Sequence, residues 1–292
     1  MMQRFKGVFT ALLTPFDNSG KVNKKVLGEL IEDNIKKGVA GFYVCGSTAE
    51  CFMLTDEERN EIYETVADAA NGRATLIAHI GAISTDATIR FADVAKRCGY
   101  DAISAVAPFY YKFNFEQIKK HYYTIVDKVD KPMIVYNFPN FSGVNLSVDQ
   151  AAQFLCDDRF IGIKHTSNDY FALNQFKNNF PDKVIYNGFD EMFLAGLSMG
   201  ADGGIGSTYN FMAEKFVLIQ KLFVEKRMDE AYAVQSEVAR IIASLCKVGV
   251  MEGEKEILCQ MGFDFGNARM PFSELTAQQK AFIKKEITDT LY

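Results

Sequence analysis

Cysteine is sparse in this sequence. The six residues at positions 45, 51, 98, 156, 246 and 259 include no C-x-x-C pair, so neither a zinc ligand set nor a disulfide framework is suggested. Several lie within apolar runs, as Cys45 does in GFYVCG, where a reduced, buried thiol is expected. Histidine is scarcer still. His79, His121 and His165 are scattered and form no ligand-spaced cluster, so no metal and no organic cofactor is expected. Positive charge is not in excess: the net charge is −5 and the pI near 5.4, which argues against a nucleic-acid partner. The paired lysines of VNKKV and FIKKE fit solvated helix faces. A long apolar run is also missing. The opening MMQRFKGVFTALLTPF is broken by Pro15 and Asp17, too soon for a signal peptide or a membrane span. A soluble, cytoplasmic protein without a membrane partner is therefore expected.

What is present is ordinary in composition, 48% hydrophobic and 24% charged, and strongly periodic in arrangement. Short apolar, β-rich runs recur as GVFTALLTP, GFYVCGS, ATLIAHIG, AISAVAP, MIVYNFP, IGIKHTS, VIYNG and GGIGST, with amphipathic stretches between them. The stretch TDEERNEIYETVADAANG carries a Thr55-x-x-Glu58 capping signal and a closing Gly72; STDATIRFADVAKRCG ends in Gly99; SVDQAAQFLCDD starts with a serine cap. Continuous apolar strands alternating with helices indicate a parallel sheet covered by other chain. Eight such units predict an α/β fold, a (β/α)₈ TIM barrel. After Ser207 the strand signal stops and the rest reads as helices, with no Gly/Ser- or Pro-rich linker. We expect a catalytic barrel over residues 1–225 and a C-terminal helical extension over 226–292, packed as one structural unit.

In a parallel barrel, catalytic side chains come from the C-terminal ends of strands. Three ends stand out. In IGIKHTSND, Gly162, Lys164 and Thr166 share one face, and Ile161, Ile163 and His165 the other. The two isoleucines suit the layer under the helices, which turns Lys164 into the barrel mouth, where desolvation lowers its pKa and favours a nucleophilic amine. His165 faces away and is not expected to act with it. The strand alone leaves open a lysine reaching out to solvent. In MIVYNFPNFSGV, Ile134, Tyr136 and Phe138 share a face, and Tyr136 ends the strand preceding that of Lys164. At a strand spacing of about 4.8 Å its hydroxyl reaches a carbinolamine on the lysine; an isolated core tyrosine is the alternative. In GFYVCGSTAE, a turn carrying Ser47 and Thr48 offers N–H groups and hydroxyls to a carboxylate, although such residues also cap helices. His79 is expected to be packed, and His121 to lie on a helix surface.

Taken together, GSTAE, APFYYKF, YNFPNFSGV, IGIKHTS, YNGFDE and ADGGIGST stand in this order at barrel spacing. Over about residues 5 to 210 the chain strongly resembles the N-acetylneuraminate lyase branch of the class I aldolases, which includes dihydrodipicolinate synthase. The likeness continues more loosely through KVGVMEGEKEIL and ARMPF. It implies that Lys164 forms a Schiff base with a 2-oxo acid, that Tyr136 transfers protons, and that Ser47 and Thr48 bind the pyruvyl carboxylate, Ser47 also joining the tyrosine relay. It implies that Tyr110 reaches into a neighbouring subunit's site, hence a homo-oligomer, typically a homotetramer. Thr166, Gly188, Asp190, Glu191 and Ser207 match positions that hold the polyhydroxy part of a sialic acid. One departure is Ala49, where the family turn usually reads GSTGE. Alanine would be strained there if the position needs positive φ, and its presence suggests ordinary backbone angles.

A second departure bears on the substrate. The arginine that dihydrodipicolinate synthases carry after the catalytic tyrosine, matched to a second substrate carboxylate, is replaced here by Phe141, so no charge-assisted pair forms. Asp190 and Glu191 instead suit sugar hydroxyls, although by themselves they fit a helix N-terminus equally well. The resemblance therefore implies reversible cleavage of N-acetylneuraminate to N-acetylmannosamine and pyruvate. Two alternatives stay open at this level: another pyruvate-dependent aldolase acting on a 2-oxo-3-deoxy sugar acid, and a catalytically silent barrel that senses pyruvate or sialate.

Overall fold

The computed structural model describes residues 2–291. Eight strands close into a parallel barrel in sequence order: β1 Gly7–Ala11, β2 Gly41–Val44, β3 Thr75–His79, β4 Ala102–Val106, β5 Met133–Asn137, β6 Phe160–His165, β7 Val184–Asn187 and β8 Gly203–Gly206, with β8 pairing back onto β1. These are the eight runs read from the sequence. The helices between them are α1 Lys24–Lys36, α2 Asp56–Ala70, α3 Thr85–Arg97, α4 Phe115–Lys128, a short turn α5 Pro139–Ser142, α6 Val148–Leu155, α7 Tyr170–Asn179 and α8 Phe193–Ser198. The capping signal at Thr55 is realised in full: its hydroxyl accepts from Glu58 N, and the Glu58 carboxylate accepts from Thr55 N. At the other end of α2 the left-handed turn is taken by Asn71 as well as Gly72. No helix of the described residues is long and apolar enough to cross a membrane.

Two apolar layers result from the alternation of side chains along the strands. An outer layer fills the space between sheet and helices, and an inner one, containing Phe9, Tyr43, Ile77, Ile134, Tyr136, Tyr186 and Ile205, fills the barrel. Ile163 lies in the outer layer, as its face requires, and His165 packs edge-on against Phe176 of α7. Ile161 does not follow: it joins the inner cluster. The register between β5 and β6 shifts at Met133/Ile134, so Met133 pairs with Phe160 and Ile134 with Gly162, and the extra residue turns Ile161 inward.

His121 also corrects the sequence reading. Although it sits on α4, it is buried against the adjacent helix α3, and its Nδ1 lies 2.9 Å from Thr85 Oγ1. Burial lowers its pKa to about 4. His79 is packed as expected, its Nδ1 2.8 Å from the Cys45 carbonyl and its Nε2 accepting from Val106 N.

Beyond the barrel run α9 Tyr209–Val224, α10 Met228–Leu245, α11 Val250–Gln260 and α12 Ala277–Glu286. They grip the strand ends at specific points. The Gln235 carboxamide of α10 accepts from Leu194 N (2.9 Å) and donates to the Asp190 carbonyl (3.2 Å), which pins the turn after β7. Lys255 of α11 forms a fully buried ion pair with Glu50 at the end of the GSTAE turn. The same carboxylate accepts from Arg269 N at 2.7 Å, and the Arg269 guanidinium pairs with Glu58 of α2.

Candidate active site

The register that closes the barrel also assembles the chemistry. Tyr136 on β5 is the direct partner of Lys164 on β6, which in turn pairs with Tyr186 on β7. Lys164 is only 5% exposed, and its amine stands 4.2 Å from the ring centres of both Tyr136 and Tyr43. Burial among these rings lowers its pKa to about 7, with the charge of Asp190 opposing the shift. Near neutrality a large fraction of the amine is thus unprotonated and nucleophilic. Tyr136 is buried too, which raises its phenol well above the ordinary value, while the Thr166 and Ser47 hydroxyls beside it pull the other way.

The GSTAE turn is a short 3-10 segment, Ser47–Ala49. Positive φ angles fall on the residues flanking that segment, Cys45 before the turn and Glu50 at its end, both 57°, and not on Ala49, which is buried and whose carbonyl accepts from Thr14 Oγ1 at 2.9 Å. Alanine is therefore accommodated without strain at that position, and the left-handed residue Glu50 is held by its pairing with Lys255.

On the opposite side Asp190 is buried, and its Oδ2 accepts from Thr208 N (2.9 Å) and Thr208 Oγ1 (2.7 Å). Burial raises its carboxyl to about 6 against those two bonds. Close approach explains two glycines here. A Cβ on Gly188 would lie 1.9 Å from Thr166 Oγ1, and one on Gly206 would lie 1.9 Å from Asp190 Oδ1. Glu191 is exposed at the rim.

One cavity of about 630 Å³ joins these groups: Ser47, Thr48, Tyr136, Lys164, Thr166, Gly188, Asp190, Glu191 and Ser207 all line it. Tyr110 does not. It lies 83% exposed at φ 79°, with its ring against Tyr111. Phe141, where an arginine would be needed for a second carboxylate, is 71% exposed and lines the cavity mouth with its ring against Phe138. Among the described residues Lys164 is the only basic side chain lining the cavity, against the acids Asp190, Glu191, Glu252 and Glu254.

Some contributors escaped the sequence reading. Tyr43, which covers Lys164, was legible in principle, because alternation along β2 puts it on the inner face. Glu254, whose Oε1 accepts from Ser207 Oγ at 2.6 Å, had no local signal, since a glutamate in a charged helical segment reads as solvated. Thr208 and Gln235 act through Asp190 and are visible only once the turn is folded. No group of three or more His, Cys, Asp or Glu side chains among the described residues is arranged to hold a metal ion.

Comparison with known proteins shows what the whole chain is similar to. A curated Escherichia coli protein, N-acetylneuraminate lyase 2, is 44% identical over 287 residues, covering 98% of this chain and 94% of the relative. A Clostridium difficile structure in complex with mannosamine superposes with a TM-score of 0.95 at 38% identity, covering 98% and 99% of the two chains. The N-acetylneuraminate lyase of Fusobacterium nucleatum complexed with pyruvate superposes equally well, TM-score 0.95, at 36% identity over 99% and 98%. Residues 4–290 match the model of the dihydrodipicolinate synthetase family, and with a buried strand lysine facing a strand tyrosine in a closed (β/α)₈ barrel, the chain belongs to that family.

Proposed function

We propose that this protein is a carbon–carbon lyase that cleaves N-acetylneuraminate reversibly to N-acetylmannosamine and pyruvate, with Lys164 as the Schiff-base nucleophile. The observation that carries the reading is the charge pattern of the cavity: one buried amine is its single basic lining residue among the described residues, faced by the carboxylates of Asp190, Glu191 and Glu252. A single substrate carboxylate is taken by the hydroxyls and N–H groups of the Ser47–Thr48 turn. A second would meet Asp190 and Glu191, whereas a polyhydroxy chain finds acceptors there. The relatives support it: one structure holds mannosamine, an amino sugar related to the aldehyde product, and another holds pyruvate, the second product.

The chemistry follows from the two pKa shifts. Neutral Lys164 adds to the C2 ketone of the open-chain sugar acid. Tyr136, kept protonated by burial, gives its proton to the carbinolamine oxygen, which leaves as water. The iminium so formed stabilises the phenolate beside it, and the phenolate takes the C4 hydroxyl proton, assisted by the substrate carboxylate. The C3–C4 bond breaks, its electron pair moves into the iminium, and the aldehyde departs. Protonation of the enamine at C3 and hydrolysis release pyruvate and restore the amine. Ser47 continues the tyrosine relay; Thr48, Thr166, Gly188, Asp190, Glu191 and Ser207 orient the substrate.

In this reading the barrel, residues 1–225, and the extension, residues 226–292, work as one unit, because α11 borders the cavity. The exposed Tyr110 completes the site of a neighbouring copy in a homotetramer, and the protein serves cytoplasmic carbohydrate metabolism. The test is pyruvate release from N-acetylneuraminate, with Lys164→Ala as control and borohydride trapping of the pyruvate adduct in parallel. Release that vanishes in the variant is expected. Trapping at Lys164 without sialate cleavage, but with cleavage of a different 2-oxo-3-deoxy sugar acid, would move the substrate; trapping without turnover of any sugar acid would make the protein a sensor.

A further inference from the structure

Glu254 is completely buried yet lines the substrate cavity. Its Oε1 accepts from Ser207 Oγ, and its Oε2 is buried with no hydrogen-bond partner among the described residues. Fastening α11 to the barrel does not account for this arrangement, because the adjacent Lys255 already does so through Glu50. A carboxyl that served only as a tie would not leave its second oxygen buried and unmatched in a residue that borders the cavity. We propose that Glu254 is a specificity-determining residue, which together with Ser207 grips a hydroxyl of the substrate's polyhydroxy tail. The inference rests on the cavity being a sugar-acid site.

The hydrogen-bond inventory gives the pair a defined polarity. Ser207 commits its one proton to Glu254, which leaves its oxygen to accept from a ligand. Burial, with the charge of Asp190 adding to it, raises the Glu254 carboxyl to about 8, so near neutrality the group is mostly protonated and can donate from Oε2. A donor beside an acceptor is complementary to a hydroxyl, which accepts from one and donates to the other. An aliphatic or shortened tail would leave both unmatched, which is how a buried polar pair discriminates between substrates.

The experiment measures kcat and KM for 2-oxo-3-deoxy sugar acids of six to nine carbons with the wild type, Glu254→Leu and Glu254→Gln. Wild-type KM should fall as the chain lengthens. Glu254→Leu should raise KM for the nine-carbon acid by about tenfold, the loss of one hydrogen bond. It should leave kcat, the six-carbon KM and the rate of borohydride trapping of pyruvate unchanged. Glu254→Gln, which keeps an acceptor for Ser207 and an N–H donor in place of the O–H, should restore most of the length dependence. Should the leucine variant fail to trap pyruvate, Glu254→Asp, whose carboxyl is withdrawn by one methylene, is expected to show the same chain-length-dependent rise. Equal losses on short and long substrates, no loss at all, or a wild type indifferent to chain length would each overturn the assignment. Wild-type cleavage of other long acids but not of N-acetylneuraminate would instead overturn the proposed substrate and leave the role of Glu254 standing.

Discussion

On the β5–β6 side of the cavity, Tyr136 and Lys164 stand opposite each other on hydrogen-bonded strands, buried among aromatic rings. On the β7–β8 side, Asp190 comes from a turn, Ser207 from a strand end, and Glu254 from a helix 47 residues further along the chain. The first side is buried and lined by aromatic rings, and its isolation from water is what lowers the pKa of the amine. The second is acidic and assembled from separate elements, and its hydrogen bonds fix which ligand groups can be matched. Under the proposed function, reactivity and selection would fall to different kinds of structure, joined by the charge of Asp190, which reaches Lys164.

The largest expected effect lies on the reactive side. Lys164→Ala should lower pyruvate release by at least ~10³-fold and abolish borohydride trapping, because no other group in the cavity can form the imine. Residual trapping elsewhere would break the separation of the two sides. Tyr136→Phe should cost roughly 10²–10⁴-fold in kcat with little change in KM, as expected for a group that transfers protons in the transition state. A change confined to KM would move Tyr136 to the binding side.

Next comes the clasp between barrel and extension. Lys255→Met leaves Glu50 buried and unpaired, so a loss of about 3–5 kcal/mol in stability is expected, seen as a lower urea midpoint. Because Glu50 closes the Ser47–Ala49 turn, pyruvate binding should weaken with it. An unchanged midpoint would show that the extension is not needed to hold that turn.

The smallest effect tests the link itself. Lys164 has its pKa lowered, so the reactive neutral amine is lost as pH falls, and the initial rate of pyruvate trapping should rise with pH through about 7 and then level off. The negative charge of Asp190 favours the ammonium form. Asp190→Asn should therefore move that midpoint to lower pH. A midpoint that stays put, or moves up, would mean that the two sides are electrostatically independent.

How much of this was legible in the chain depends on how local the cause is. The eight strands showed as continuous apolar runs between helical stretches, and the face of Lys164 followed from a period of two, which is fixed by backbone geometry within a strand. The same rule failed for Ile161, because a register shift against β5 is a property of two strands and not of one. The expectation of a surface His121 failed too, because its burial comes from the neighbouring helix α3. Ala49 could be flagged as a departure but not resolved until the positive φ angles were seen to fall on Cys45 and Glu50.

The sequence by itself determined the eight strands, their alternation with helices and the inward face of Lys164, since each depends on residue type and short-range pattern. The pairing of Lys164 with Tyr136 and the meaning of Phe141 came from the resemblance of the ordered motifs to a known family. Only the tertiary structure decided that Lys255 locks the GSTAE turn, that Gln235 pins Asp190, and that Glu254 borders the cavity. In a helical sequence a charged residue is taken to face water. Burial against a distant strand end, which reverses that expectation and makes the charge costly unless it is matched, exists only once the helices of the extension have closed over the barrel.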